Sequence, residues 1–246
     1  MHAVVYPLCS NEGELFAAAP PMKRGVIERY TRAVGVKRLV AICCILIMLA
    51  AIFVAHGVFE RQGPSVETYV ADTGQPTIVC LGDSLTAGSG ASFEQSYPAW
   101  LQRRLKAHHL KYRVVNAGVS GDRVADGLQR VQSDVLRFHP AVVIVALGSN
   151  DPGHTPPGVW EGQLGTIIMR VEAHCAKVIL GGLDEPGMGS IYRRLAARYH
   201  VPLVWFIASV AQLPGDWNDA HHPNGAGNRV VMDSFWPVVV STLPHP

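Results

Sequence analysis

Residues 77–85 read Thr77-Ile78-Val79-Cys80-Leu81-Gly82-Asp83-Ser84-Leu85. An apolar, β-favouring run stops at a glycine, and a serine follows two positions later, which is how a buried strand delivers a hydroxyl to its carboxyl end. In an open α/β sheet that end is where ligands bind. Serine is also a preferred helix N-cap, so a lone Gly-Asp-Ser is a cap first. Chemistry at Ser84 requires partners from elsewhere in the chain.

Downstream the pattern is strand, then helix, repeatedly. Strands are predicted over 77–81, 112–116, 141–147, 177–180 and 202–206, the third apolar throughout as a central parallel strand should be. Helices are predicted over 97–108, with Trp100, Leu101 and Leu105 on one face, over 124–138, aligning Val124, Leu128, Val131, Val135 and Leu136, and over 160–174, 190–200 and 225–242. Parallel neighbours need crossovers, so the expectation is an α/β domain. It should be a three-layer α/β/α sandwich around a five-stranded parallel sheet.

Upstream the composition changes. Residues 60–75 mix Gly, Pro, Ser, Thr and charges without period and read as a linker. Residues 39–59 are almost wholly apolar and uncharged, long enough to cross a bilayer as a helix and without the polar face of a core helix. Lys23, Arg24, Arg29, Arg32, Lys37 and Arg38 precede this run, which keeps residues 1–38 cytoplasmic and exports the chain beyond residue 59. The organisation expected is a basic cytoplasmic segment (1–38), a transmembrane signal anchor or signal peptide (39–59), a linker (60–75) and a catalytic domain (76–246). Such a protein sits in the cell membrane with its domain on the periplasmic or extracellular side. It is secreted instead if Ala55-His56-Gly57 is cleaved. Met22 is a second plausible start.

The formal charge of +2 in 246 residues comes largely from the amino-terminal segment, leaving no basic stripe for nucleic acid. Of the five cysteines only Cys80 and Cys175 lie in the exported part. They share no C-x-x-C or Cys/His spacing, and their positions align poorly for a disulfide. No cofactor or metal is implied. A metal on His154, Asp219, His221 and His222 would compete with a pairing of Asp219 and His222 that already accounts for both.

Four short blocks fall at strand ends: Gly82-Asp83-Ser84-Leu85, Asn116-Ala117-Gly118-Val119-Ser120-Gly121-Asp122, Leu147-Gly148-Ser149-Asn150-Asp151, and Asp219-Ala220-His221-His222-Pro223-Asn224. In this order the chain resembles the SGNH, or GDSL, hydrolase family over nearly all of residues 76–246. The resemblance implies a flavodoxin-like SGNH hydrolase fold and points to the lysophospholipase, thioesterase and arylesterase branch.

The residues support that chemistry independently. A serine hydroxyl needs a neighbouring base, histidine suits that task near neutral pH, and a carboxylate on the other ring nitrogen orients the imidazole. Asp219 and His222 stand three residues apart and can meet locally. His222, immediately before Pro223, matches the family spacing and is taken as the base, with His221 a solvated neighbour. No G-x-S-x-G elbow of the α/β-hydrolase kind occurs.

By resemblance, the Ser84 N–H, the Gly121 N–H and the Asn150 amide form an oxyanion hole. On the residues alone, Gly121 also reads as a simple turn and Asn150 as a cap. Asp83 and Asp151 are expected to hold loops by accepting backbone N–H groups. Arg123 stands where many relatives carry threonine.

The expected activity is hydrolysis of a small-molecule, lipid or glycan ester through an acyl-enzyme on Ser84. Alternatives are carbohydrate O-acetylesterase or acyltransferase action on an envelope polysaccharide, and a non-catalytic envelope-binding module. Residues 152–158 should form a stiff rim to the acyl pocket, with 183–189 and 210–217 opposite. Chain length and oligomeric state have no signature in the sequence.

Overall fold

The computed structural model describes residues 67–68 and 74–244. The anchor and cytoplasmic segment expected over 1–59 lie outside the described residues. The strands are β1 (Glu67–Thr68), β2 (Thr77–Gly82), β3 (Arg113–Gly118), β4 (Val142–Ala146), β5 (Lys177–Gly182) and β6 (Leu203–Trp205). The helices are α1 (Ser84–Ala87), α2 (Tyr97–Ala107), α3 (Val124–Gln129), α4 (Val131–Asp134), α5 (Pro157–Glu172), α6 (Gly189–Tyr199) and α7 (Gly225–Thr242).

The sheet order is β1-β3-β2-β4-β5-β6, with β2 to β6 parallel as expected. In β2, Ile78 to Leu81 are 0% exposed, and Val142 to Val145 of β4 likewise. Helices cover both faces of such strands, so they read as unbroken apolar runs instead of alternating ones. Each aliphatic side chain buried there contributes about 1.5–3 kcal/mol. Helices α2 and α7 pack together, and α3, α5 and α6 form a second contiguous set, giving three layers.

Two expectations need correction. Part of the 60–75 linker is structural: Glu67 and Thr68 pair antiparallel with Asn116 and Val115, adding a sixth strand to the five parallel ones. The strand covers open backbone groups along the β3 edge, and two residues are too few to carry a period. The single helix expected over 124–138 is broken into α3, α4 and a 3₁₀ turn at Leu136–Phe138. The first break falls at Arg130, whose guanidinium is held by the ends of β2 and β3. Apolar periodicity carries no record of such a tertiary anchor.

The chain passes from β2 outward to β3, then crosses to β4 on the other side of β2. This reversal opens a crevice at the carboxyl ends of β2 and β4, where ligands bind in doubly wound sheets. Ser84 follows β2 and Asn150 follows β4.

Candidate active site

Four strand-end loops are bound to one another above the sheet. The turn after β2 places Asp83 as the N-cap of α1, its Oδ1 accepting from Leu85 N at 3.0 Å. Its Oδ2 accepts from Ser149 Oγ at 2.6 Å, fastening the loop after β4 to the residue before Ser84. Ser89 and Ser120 hydroxyls meet at 2.8 Å, joining the same turn to the loop after β3. Close approach is essential here, since a β-carbon on Gly118 would collide with the Thr86 and Ala87 backbone.

The fourth loop is set by α7. Asn224 caps that helix, accepting from Ala226 N and Gly227 N at 2.9 and 3.1 Å, and donates to Gly215 O at 2.8 Å. Trp217 bridges to Pro223, and Asn218 N donates to His222 O at 2.9 Å, closing the loop. Buried Asn228 accepts from Tyr97 N at 3.1 Å and donates to Pro223 O at 2.9 Å, tying the loop to α2. Phe235 of α7 stacks on Tyr97 and Phe206 with ring centroids 5.3 and 5.4 Å away, which fixes the helix against the sheet.

Within this frame Ser84, His222 and Asp219 come together. His222 Nε2 lies 3.1 Å from Ser84 Oγ. His222 Nδ1 lies 3.0 and 3.1 Å from the two Asp219 oxygens. A carboxylate only accepts, so Nδ1 carries the proton and Nε2 is left to accept from the serine hydroxyl. Asp219 Oδ1 also accepts from His221 N at 2.8 Å and His222 N at 2.9 Å. The His221 N–H and the His222 side chain are the leading reasons its carboxyl is held well below the ordinary aspartate range. His221 is exposed, its ring 6.5 Å from that of His222.

Gly121 has φ +86, a backbone conformation that glycine adopts without a Cβ penalty. Among the described residues neither its N–H nor that of Ser84 donates to a protein acceptor. Asn150 Nδ2 donates one hydrogen to Asp122 O at 2.9 Å, and an amide has two. Gly121 and Asn150 line one groove of about 440 Å³ with Arg123, Ser149, Pro152 and His154. A larger hollow of about 740 Å³ around Pro76, Thr77 and Phe138 opens at the opposite, amino end of the strands. It lacks the Ser84 constellation, so volume is a poor guide to the chemistry here.

Asp83 and Asp151 accept backbone N–H groups, Asp151 Oδ2 from Val124 N at 3.0 Å. Burial pushes both carboxyls up. Residues 152–158 flank the groove through Pro152 and His154, whereas Leu183 and Met188 of the opposite segment are buried in the core. Cys80 is buried in β2 and Cys175 exposed, both free.

Sequence reasoning passed over two positioning residues. Arg130 Nε donates to Asp122 Oδ2 at 2.6 Å, while its terminal nitrogens donate to Ala117 O at 2.7 Å and Gly82 O at 2.8 Å. It thereby staples the ends of β2 and β3 to the loop bearing Gly121. Gly90, at φ +90, lets a turn press on the base: a β-carbon there would stand 2.9 Å from His222 Cβ. The one available signal is the charge of Arg130 within an apolar helical pattern.

Known proteins resemble this chain in sequence and in fold. The profile of the GDSL-like lipase/acylhydrolase family matches residues 80–230. The chain belongs to that family. It is 31% identical over 179 residues to Esterase TesA of Pseudomonas aeruginosa, covering 68% of this chain and 89% of that protein. To the Thioesterase 1/protease 1/lysophospholipase L1 of Escherichia coli K12 it is 32% identical, covering 64% and 80%. The crystal structure of TesA superposes with a TM-score of 0.64 at 32% identity, covering 68% of this chain and 99% of that one. This GDSL-family chain has the SGNH-type α/β fold and is a serine-type carboxylic ester hydrolase.

Proposed function

We propose that this GDSL-family chain hydrolyses esters with Ser84 as nucleophile, His222 as general base and acid, and Asp219 as the group that orients and stabilises the imidazole. The observation that carries this reading is the 3.1 Å approach of Ser84 Oγ to His222 Nε2, with Asp219 on the far ring nitrogen. As Oγ attacks the ester carbonyl carbon, His222 Nε2 takes its proton and Asp219 steadies the imidazolium. The tetrahedral oxyanion is received by the N–H groups of Ser84 and Gly121 and by the second amide hydrogen of Asn150. His222 returns the proton to the departing alkoxide, leaving an acyl-serine. Water, deprotonated by the same imidazole, then releases the acid and restores Ser84.

Apart from Pro152, the groove beside these donors is built from polar groups and glycine, which suits short or polar acyl groups and lacks the apolar walls a long alkyl chain would need. Residues 39–59 would hold the catalytic domain at the outer face of the cell membrane. Alkaline carbonate extraction of membranes tests that placement, the chain staying with the pellet if anchored.

A fluorophosphonate probe tests the chemistry. Wild type should label on a single serine and Ser84→Ala should not, while folded wild type that resists labelling would favour a binding module. Nitrophenyl esters from acetate to palmitate read the acyl preference, with turnover expected to fall as the chain lengthens.

A further inference from the structure

The groove beside Gly121 and Asn150 has an unusual electrostatic lining. Arg123 and His154 line it with Gly121, Ser149, Asn150 and Pro152, a set that includes two basic residues and no carboxylate. Both walls hang from Asp151, which is 0% exposed: its side chain holds Val124 N, and its carbonyl accepts from His154 N at 2.9 Å and Thr155 N at 2.8 Å. The Arg123 backbone is fixed as well, its N–H donating to Asp126 Oδ2 at 3.1 Å and its carbonyl accepting from Asp126 N and Gly127 N. The groove is therefore built on rigid supports.

The Arg123 guanidinium is in a different state from its backbone. Its Nε forms a long ion pair with Asp126 Oδ2 at 4.0 Å, without a hydrogen bond, and the side chain is 46% exposed. Among the described residues its terminal nitrogens donate to no acceptor. Nearby Arg130 is by contrast fully engaged with Asp122, Asp134, Ala117 O and Gly82 O. The acids around the groove are neutralised or turned inward. Asp122 and Asp134 pair with Arg130, Asp126 accepts the Arg123 N–H and forms the long ion pair with the Arg123 guanidinium that an incoming anion would compete with, and burial opposes ionisation of Asp83 and Asp151. The groove thus presents a planar cationic fork and an imidazole beside the oxyanion donors.

Resting on the hydrolase reading above, we propose that Arg123, with His154 in the same groove, recognises an anionic oxygen group, carboxylate or phosphate, carried by the ester substrate. A guanidinium is permanently charged and matches two oxygens of either group at once. The anion sits beside the scissile ester, orienting the carbonyl toward Gly121 N–H and Asn150.

The test is a ratio of kcat/KM values for matched anionic and neutral esters. Mono-4-nitrophenyl glutarate against 4-nitrophenyl butyrate places the charge on the acyl side. 4-Acetoxyphenyl phosphate against 4-methoxyphenyl acetate places it on the alcohol side. One pair should show a preference for the anion that weakens as salt rises, because an exposed charge is screened within about 10 Å at 0.1 M. Arg123→Gln should lower that ratio about three- to tenfold, and Arg123→Glu should invert it. Inhibition of wild-type 4-nitrophenyl acetate hydrolysis by inorganic phosphate at constant ionic strength needs no variant and should be competitive. Wild type that turns over neutral esters but shows ratios unaffected by salt and by Arg123→Glu, with no phosphate inhibition, overturns this inference alone. Wild type neither active nor labelled by fluorophosphonate overturns the hydrolase reading and this one with it.

Discussion

Replacing Arg130 with methionine keeps most of the stem volume and removes only the charged head, which makes it the sharpest probe of how the crevice is held. The Arg130 and Asp122 side chains are 14% and 12% exposed, and their ion pair spans 2.6 Å. Two further bonds run to the carbonyls of Gly82 and Ala117. Breaking a buried pair by deleting one partner costs about 3–5 kcal/mol, and each charge-assisted bond to a carbonyl contributes about 1.5–3 kcal/mol, but these are not additive. Asp122 can also escape part of the penalty by taking a proton, since burial already pushes its carboxyl up and Arg130 is what restrains it. The net loss is then about 3–4 kcal/mol, a large share of the roughly 5–15 kcal/mol that folds a domain.

In urea, with a slope of about 2 kcal/mol/M, the midpoint should fall by about 1.5–2 M. Tryptophan fluorescence reads it directly. The deficit appears wherever Asp122 is ionised, so it should shrink as pH falls through the further-raised carboxyl of the variant. Fluorophosphonate labelling, measured well below the unfolding midpoint, should slow as the Gly121 loop loosens. A midpoint shift under about 0.3 M, unchanged between neutral and acid pH, would refute this account of Arg130.

Asp219→Asn should lower kcat about 10⁴-fold through the wrong imidazole tautomer while leaving the urea midpoint near wild type, because the carboxylate is exposed; His221→Ala should do little to either. Gly90→Ala should cost about 1–2 kcal/mol for its left-handed backbone. It should also slow turnover about 10²-fold by displacing His222, as read by kcat and thermal unfolding together. For Asp83, burial raises the folded carboxyl above its ordinary 3.8 despite the Ser149 and Leu85 bonds. Its contribution is therefore fullest below that value and is lost as pH rises through the folded one. Asp83→Asn should remove that part of the slope and gain relative to wild type on going from acid to neutral pH, as urea midpoints across pH would show.

Much of this molecule is local in origin and was legible without coordinates. The apolar runs of β2 and β4 mark strands covered on both faces, and α7 spans the 225–242 stretch that the sequence predicts as a helix. Asp219 and His222 are three residues apart, so their pairing needed only a loop, and the Gly82-Asp83-Ser84 turn announces itself by an abrupt change from strand to cap. Other features depend on groups far apart in the chain, and no short window encodes those. Glu67 and Thr68 are a strand only because β3 offers them an open edge. The helix after Gly121 breaks at Arg130 because carbonyls from two strands and the Asp122 carboxylate converge on one guanidinium. The 3.1 Å approach of Ser84 to His222 spans 138 residues of sequence. Local free energies set each element, whereas the juxtaposition of their ends comes from sheet order and the packing of α2 on α7, which exist only once the whole core has formed.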